Sequence, residues 1–185
     1  MKKVIRILIL ILFVVALIFG KNIAMCFFPL KYSDYIIKYS KVYNIDPYLA
    51  AAVVKTESNF DEYAISNKDA YGLMQITPDT ARWAAQKMNI YGFTMNMLMT
   101  PEFNIKMGCW YINDLNGEFN GNINVMLAAY NGGRGNVKKW LKQKEHSNDG
   151  KNLDYIPFKE TNKYVKKVKM NYTIYKYLYK DKLKK

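Results

Sequence analysis

Histidine and cysteine are nearly missing from this 185-residue chain, which has one of the first and two of the second. His146 lies in a polar stretch, so neither a metal site nor Cys–His chemistry has much to build on, and no metal or other cofactor is expected. Cys26 and Cys109 are too few to make a disulfide framework and read as two unpaired thiols. The chain also lacks an internal repeat, a Pro- or Gly-rich linker and any alternating stretch long enough to seed a sheet. Solenoids and sheet-based folds are thereby set aside. Acids are scarce as well, 15 against 28 basic residues, for a formal net charge of +13.

Half the residues are hydrophobic, enough for a real core in one domain of ordinary size with an appendage. The appendage comes first. Lys2, Lys3 and Arg6 precede an apolar run from Ile7 to Gly20, the charge-then-hydrophobe order read by the export machinery. No small-x-small cleavage site follows Gly20, and Met25 before Cys26 does not suit a lipoprotein site. Residues 1–30 are therefore expected to be an uncleaved signal anchor, a transmembrane helix leaving residues 31–185 outside the membrane. Secretion after cleavage is the alternative.

Between Lys163 and Lys185 nine lysines face one acid, Asp181, and tyrosines interleave with them. That pattern can mark a nucleic-acid surface, but export argues against one. Val165, Val168, Tyr172, Tyr175 and Tyr179 recur at helical spacing, so a terminal amphipathic helix with solvated lysines is the better reading. Its charge favours anionic wall polymers or lipid head groups in general, without defining a site.

The remainder reads as helices opened by cap-and-proline signals. Asp46-Pro47 starts one that runs to about Ser58; Thr77-Pro78 and Thr100-Pro101 start two more; Asn122 starts a fourth, stopped by Gly132-Gly133. Turn residues between Phe60 and Ile76 allow at most a short hairpin, and residues 143–152 are expected to be a mobile loop. In the helix after Pro47, Ala50, Val53, Val54 and Glu57 fall on one face, so a carboxylate completes an apolar stripe. A carboxyl group held among hydrophobes keeps its proton to higher pH, as a general acid near neutrality requires.

The residues around Glu57 carry a family resemblance. Thr56-Glu57-Ser58-Asn59-Phe60, Ala64-Ile65-Ser66, Tyr71-Gly72-Leu73-Met74-Gln75-Ile76, Ala128-Ala129-Tyr130-Asn131-Gly132-Gly133 and Ile156-Pro157-Phe158-Lys159-Glu160-Thr161 with Tyr164-Val165 follow in order. Together they resemble the catalytic domain of lytic transglycosylases of the soluble (SLT) type, over about Tyr32 to Tyr179. Lys55, Asp69 and Tyr71 vary from the pattern at places the chemistry should tolerate.

The resemblance implies a mainly α, lysozyme-like fold and non-hydrolytic cleavage of the β-1,4 bond between N-acetylmuramic acid and N-acetylglucosamine in peptidoglycan. The C6 hydroxyl of the muramic acid attacks its own anomeric carbon and leaves a 1,6-anhydro end. Glu57 aligns with the single catalytic residue, first acid and then base. Ordinary glycosidases use two carboxylates, and no second acid here has comparable placement.

The supporting roles are less one-sided. Ser66 stands where the family has a serine near the muramyl group, or is simply a turn serine. Gln75 offers a donor and an acceptor to sugar, and Met74 either walls the groove or packs in the core. Tyr130 is expected to donate towards Glu57 or substrate while its ring underlies a sugar. Asn131 binds sugar or, more readily, caps its helix. Tyr164 completes the groove wall or the core beside it. Glu160 and Ser58 are support, Glu160 by fixing the loop near the site. The expected protein is a monomer acting on glycan strands. A hydrolytic muramidase of goose-lysozyme type and a non-enzymatic wall-binding or assembly protein are the other readings.

Overall fold

The computed structural model describes residues 2–183; within its first helix the side chains at 3, 10–13 and 16–18 also lie outside the description. Eight α-helices and one short 3₁₀ turn, Met95–Met99, make up the regular structure of the described residues. They are α1 (Lys2–Phe27), α2 (Ser33–Val42), α3 (Pro47–Glu57), α4 (Pro78–Lys87), α5 (Pro101–Glu118), α6 (Ile123–Gly132), α7 (Arg134–Leu141) and α8 (Lys159–Leu178).

The central element is α3. Asp46 caps it by accepting from Tyr48 N at 2.8 Å, and Pro47 occupies the first turn, where its missing N–H costs nothing. From Tyr48 to Val54 every residue is buried, so the helix is enclosed on all sides and not on the single face that the spacing suggested. A helix apolar all round belongs inside a protein, and each fully buried aliphatic side chain there contributes about 1.5–3 kcal/mol. Residues 55–58 are where α3 emerges from the core.

The tyrosine face of α8 lies on α3 and α6. Val168 and Tyr175 are fully enclosed, Tyr172 donates to Asp46 Oδ2 at 2.7 Å, and Asn171 Nδ2 donates to Thr56 Oγ1 at 2.8 Å. Asp46 therefore caps one helix and anchors another. Helices α2 and α7 carry none of the expected start signals: α2 follows Tyr32 in the left-handed region (φ 54°), and α7 follows Gly133 at φ 86°. The hairpin reduces to two isolated antiparallel bridges, Ile65 with Tyr71 and Tyr71 with Ile76.

The stretch expected to be a mobile loop is braced. Asp149 Oδ1 accepts from Lys151 N at 2.8 Å and Asn152 N at 2.7 Å, and Asn148 N donates to Asp154 Oδ2 at 2.9 Å. These bonds favour the Asp149 carboxylate so strongly that its pKa falls to about 2. Cys109 is buried, which lifts its thiol to about 12, while Cys26 is exposed and the two remain unpaired.

Helix α1 ends against the body of the domain. Its last carbonyl and the two that follow have no helical N–H to accept, and side chains supply the donors instead. Lys55 Nζ donates to Phe27 O at 2.5 Å, Tyr179 to Phe28 O at 2.7 Å and Tyr175 to Pro29 O at 2.6 Å. Among the described residues no helix is long and apolar enough to cross a membrane, and much of the expected anchor, at 10–13 and 16–18, lies outside the described side chains.

Candidate active site

Where α3 surfaces, Glu57 sits at the junction of two cavities. The larger, about 870 Å³, runs between the end of α3, the 59–66 segment and α8; the smaller, about 340 Å³, lies towards α6 and the start of α8. Glu57, Ser66 and Gln75 line both. The two arms of this groove therefore meet at Glu57, one on either side of it.

The local chain is bent hard to make this junction. Ser58 ends α3, its hydroxyl donating to Leu73 O at 2.9 Å, and Asn59 and Phe60 follow at φ 54° and 65°. A left-handed phenylalanine is rare and persists only where packing enforces it; here Phe60 is 1% exposed, with its ring 6.2 Å from that of Tyr175. The 71–76 turn closes the other side. Gly72 has φ 69°, and a Cβ there would come within 2.5 Å of Asn104 Nδ2 and 2.6 Å of Leu98 O, so only glycine fits.

Glu57 keeps partial access to the groove, yet desolvation by its surroundings raises its pKa from 4.5 to about 7. Tyr164 and the charge of Lys167 pull the other way, and Glu160 adds a small upward push. The Tyr164 hydroxyl is buried and faces Glu57, but it has no partner of ordinary hydrogen-bond geometry among the described residues. Its ring stacks on Tyr130 at 6.5 Å with 3° between the planes. Asp61 and Glu160 also line the groove, both exposed, in surroundings unlike those of Glu57.

Several expected contacts differ in detail. Tyr130 donates its one proton to Met74 O at 2.8 Å, so it supports the 71–76 turn and does not donate to Glu57. Gln75 Nε2 donates to Ala64 O at 3.0 Å and Gly72 O at 2.9 Å; only its carbonyl end remains for a ligand. Both partners are carbonyls, which fixes the orientation of the amide. Met74 is fully enclosed, its sulfur packed so closely on Gly108 that a Cβ there would collide with it; it belongs to the core and not to the groove wall.

Asn131 is no helix cap, because its side-chain oxygen accepts from Thr161 Oγ1 at 2.8 Å and so joins α6 to α8. Ser66 is a turn serine facing the groove: its oxygen accepts from Lys68 N at 3.2 Å and Ala70 N at 3.1 Å, leaving its proton to donate. Glu160 pairs with Lys68 at 3.1 Å, tying the first turn of α8 to the 66–70 turn across the smaller cavity. This is an exposed ion pair, worth at most about 1 kcal/mol.

Two residues of consequence escape a reading of the sequence. Asn104 on α5 is 1% exposed and makes three bonds at 2.8 Å, accepting from Met74 N and donating to Tyr71 O and Leu98 O. Its position beside the Ile105–Cys109–Ile112 stripe and one turn before Gly108 was the available signal. Lys55, one of the positions that vary from the family pattern, lines the larger cavity together with Phe28.

The chain matches the transglycosylase SLT domain family over residues 34–153. It is 35% identical over 157 residues to the soluble lytic murein transglycosylase of Escherichia coli, covering 84% of this chain and 24% of that protein. It is 33% identical over 123 residues to the membrane-bound lytic murein transglycosylase C of Edwardsiella ictaluri, covering 58% of this chain and 32% of that one. The crystal structure of the 70 kDa soluble lytic transglycosylase of Escherichia coli superposes with a TM-score of 0.74 at 33% identity, over 84% of this chain and 26% of that one. This chain thus spans about a quarter to a third of the length of these relatives.

Proposed function

This chain belongs to the family of transglycosylase SLT domains, and from that premise we propose that it is a peptidoglycan lytic transglycosylase whose one catalytic residue is Glu57. The carrying observation is a carboxyl group with a pKa of about 7 at the point where two cavities meet. At neutral pH it can hold the proton needed by the departing glycosidic oxygen, and as a carboxylate it can then take the proton of the C6 hydroxyl. The bond from that oxygen to the anomeric carbon forms as the glycosidic bond breaks, so no water is consumed. The free hydroxyl proton of Ser66 and the free carbonyl of Gln75 are the groups placed to hold the sugar. Tyr130, Asn131, Ser58 and Glu160 hold the walls through the bonds described above.

Residues 31–185 form the catalytic domain in this reading, and residues 1–30 anchor it outside the cytoplasmic membrane. Support for the anchor comes from α1 itself, whose Val4, Ile5, Ile7, Leu8 and Ile9 are all more than half exposed; such an apolar surface calls for a nonaqueous partner.

Mass spectrometry of products from purified glycan strands tests the reaction. Muramyl ends that are 1,6-anhydro are expected; ends heavier by one water would instead identify a hydrolytic muramidase. The pH profile supplies a second test. Donation requires protonated Glu57, so kcat/KM is expected to fall as pH rises through about 7. A rate still climbing beyond that point would remove Glu57 as the acid.

A further inference from the structure

The two arms of the groove differ in charge balance. In the smaller arm Lys68 is paired with Glu160. In the larger arm Lys55 and Lys167 both line the cavity; partial burial disfavours the charge of Lys55 most, and the nearby charge of Lys167 adds to that. Lys55 is committed: it donates to Phe27 O and Asn59 Oδ1, with its ammonium 5.1 Å from the centre of the Phe28 ring. Lys167 is exposed and has no hydrogen-bond or ion-pair partner among the described residues. The carboxyl groups facing this arm are Glu57, which needs its proton for catalysis, and Asp61, an exposed acid that accepts from Tyr63 N at 3.0 Å. An anion entering here would relieve the repulsion between two ammonium groups while its apolar frame met Phe28 and Met170. Phe28, Lys167, Met170 and Asn171, which complete this arm, lie outside the 34–153 family match.

We propose that the larger arm is a subsite for a carboxylate carried by the glycan, and that Lys167 is the residue that selects strands bearing it. The inference rests on the transglycosylase reading. Two sources share the chemistry: the lactyl carboxylate of a bare muramic acid, and the carboxylates of a stem peptide attached to it.

Three substrates separate them: peptide-bearing strands, strands stripped of peptide by an amidase, and stripped strands whose lactyl carboxylates have been converted to methylamides. Steady-state kcat and KM would be measured for the full chain and for Lys167→Gln, Lys167→Glu and Lys167→Arg. At about pH 5.5 the carboxylates are charged while Glu57 is protonated in every variant, which removes any effect of Lys167 on that group. Lys167→Gln is expected to raise KM about 5-fold on the substrate with the recognised carboxylate, with Lys167→Glu worse, Lys167→Arg close to the parent and kcat little changed. An effect on stripped strands assigns the lactyl group; an effect on peptide-bearing strands alone assigns the stem. KM values unchanged throughout, shifted equally on the methylamide, or a loss confined to kcat would overturn the subsite. Failure of the unsubstituted chain to form anhydro ends would instead overturn the reaction assigned above.

Discussion

Glu57→Gln is expected to lower glycan cleavage by about 10³-fold or more, because one substitution removes both the proton donor and the later acceptor. The isosteric amide keeps the shape of the groove, so binding of glycan should survive and the loss should appear in kcat. The same change is expected to stabilise the protein at alkaline pH. The folded-state pKa of Glu57 is raised from 4.5 to about 7, so the proton is bound more tightly in the folded chain. Its contribution to stability is fully present below about 4.5 and is lost as pH rises through 7. At pH well above 7 the parent carries a desolvated carboxylate that the glutamine variant lacks, a difference of about 3 kcal/mol for a shift from 4.5 to about 7. Urea midpoints of both proteins at acid and alkaline pH test this directly. A variant that is inactive but equally stable at every pH would mean that Glu57 is not desolvated as described.

Asn104→Ala is expected to damage the fold severely although Asn104 does not border the groove. It strands Met74 N, Tyr71 O and Leu98 O, each bonded at 2.8 Å in a buried setting, and leaves a void where Gly72 and α5 meet. Unsatisfied buried groups cost about 1–3 kcal/mol each before relaxation, so a loss of about 3 kcal/mol is expected. The 71–76 turn also carries Gln75 and receives the Tyr130 hydroxyl, so activity should fall about 10-fold beyond any loss from unfolding. Urea denaturation, with activity measured far below the midpoint, separates the two effects. Stability within 1 kcal/mol of the parent would show that the three bonds are replaceable by water.

Local signals placed much of this architecture. Asp46-Pro47, Thr77-Pro78 and Thr100-Pro101 put three helix starts at the residues where they occur, because proline fixes φ independently of distant contacts. Asn122 did the same through its own side chain. Helices α2 and α7 were not legible, since Tyr32 and Gly133 enter them through positive φ without a capping side chain.

At the site, the position of Glu57 followed from its neighbours on α3, but the commitments of the surrounding polar groups did not. Which end of Gln75 is free, where Tyr130 sends its proton and why Met74 is enclosed depend on Ala64, Gly72 and Gly108. The Gly108 contact crosses from the 71–76 turn to α5, and no local pattern reports it. Lys167 is one lysine of nine in its segment, and only the cavity distinguishes it.

The three side-chain bonds that close the end of α1 also bear on mechanics. Phe27, Phe28 and Pro29 are gripped by Lys55 of α3, Tyr175 of α8 and Tyr179 just beyond it, and α3 and α8 are helices that flank the groove. With α1 held in a bilayer as proposed, the cutting edge has no slack linker on which to swing. Its working depth is then fixed by the size of the folded body, on the order of 30 Å, the length of a 20-residue helix such as α8. In that reading strands deeper in the wall would stay out of range, and cleavage would be confined to the layer nearest the membrane.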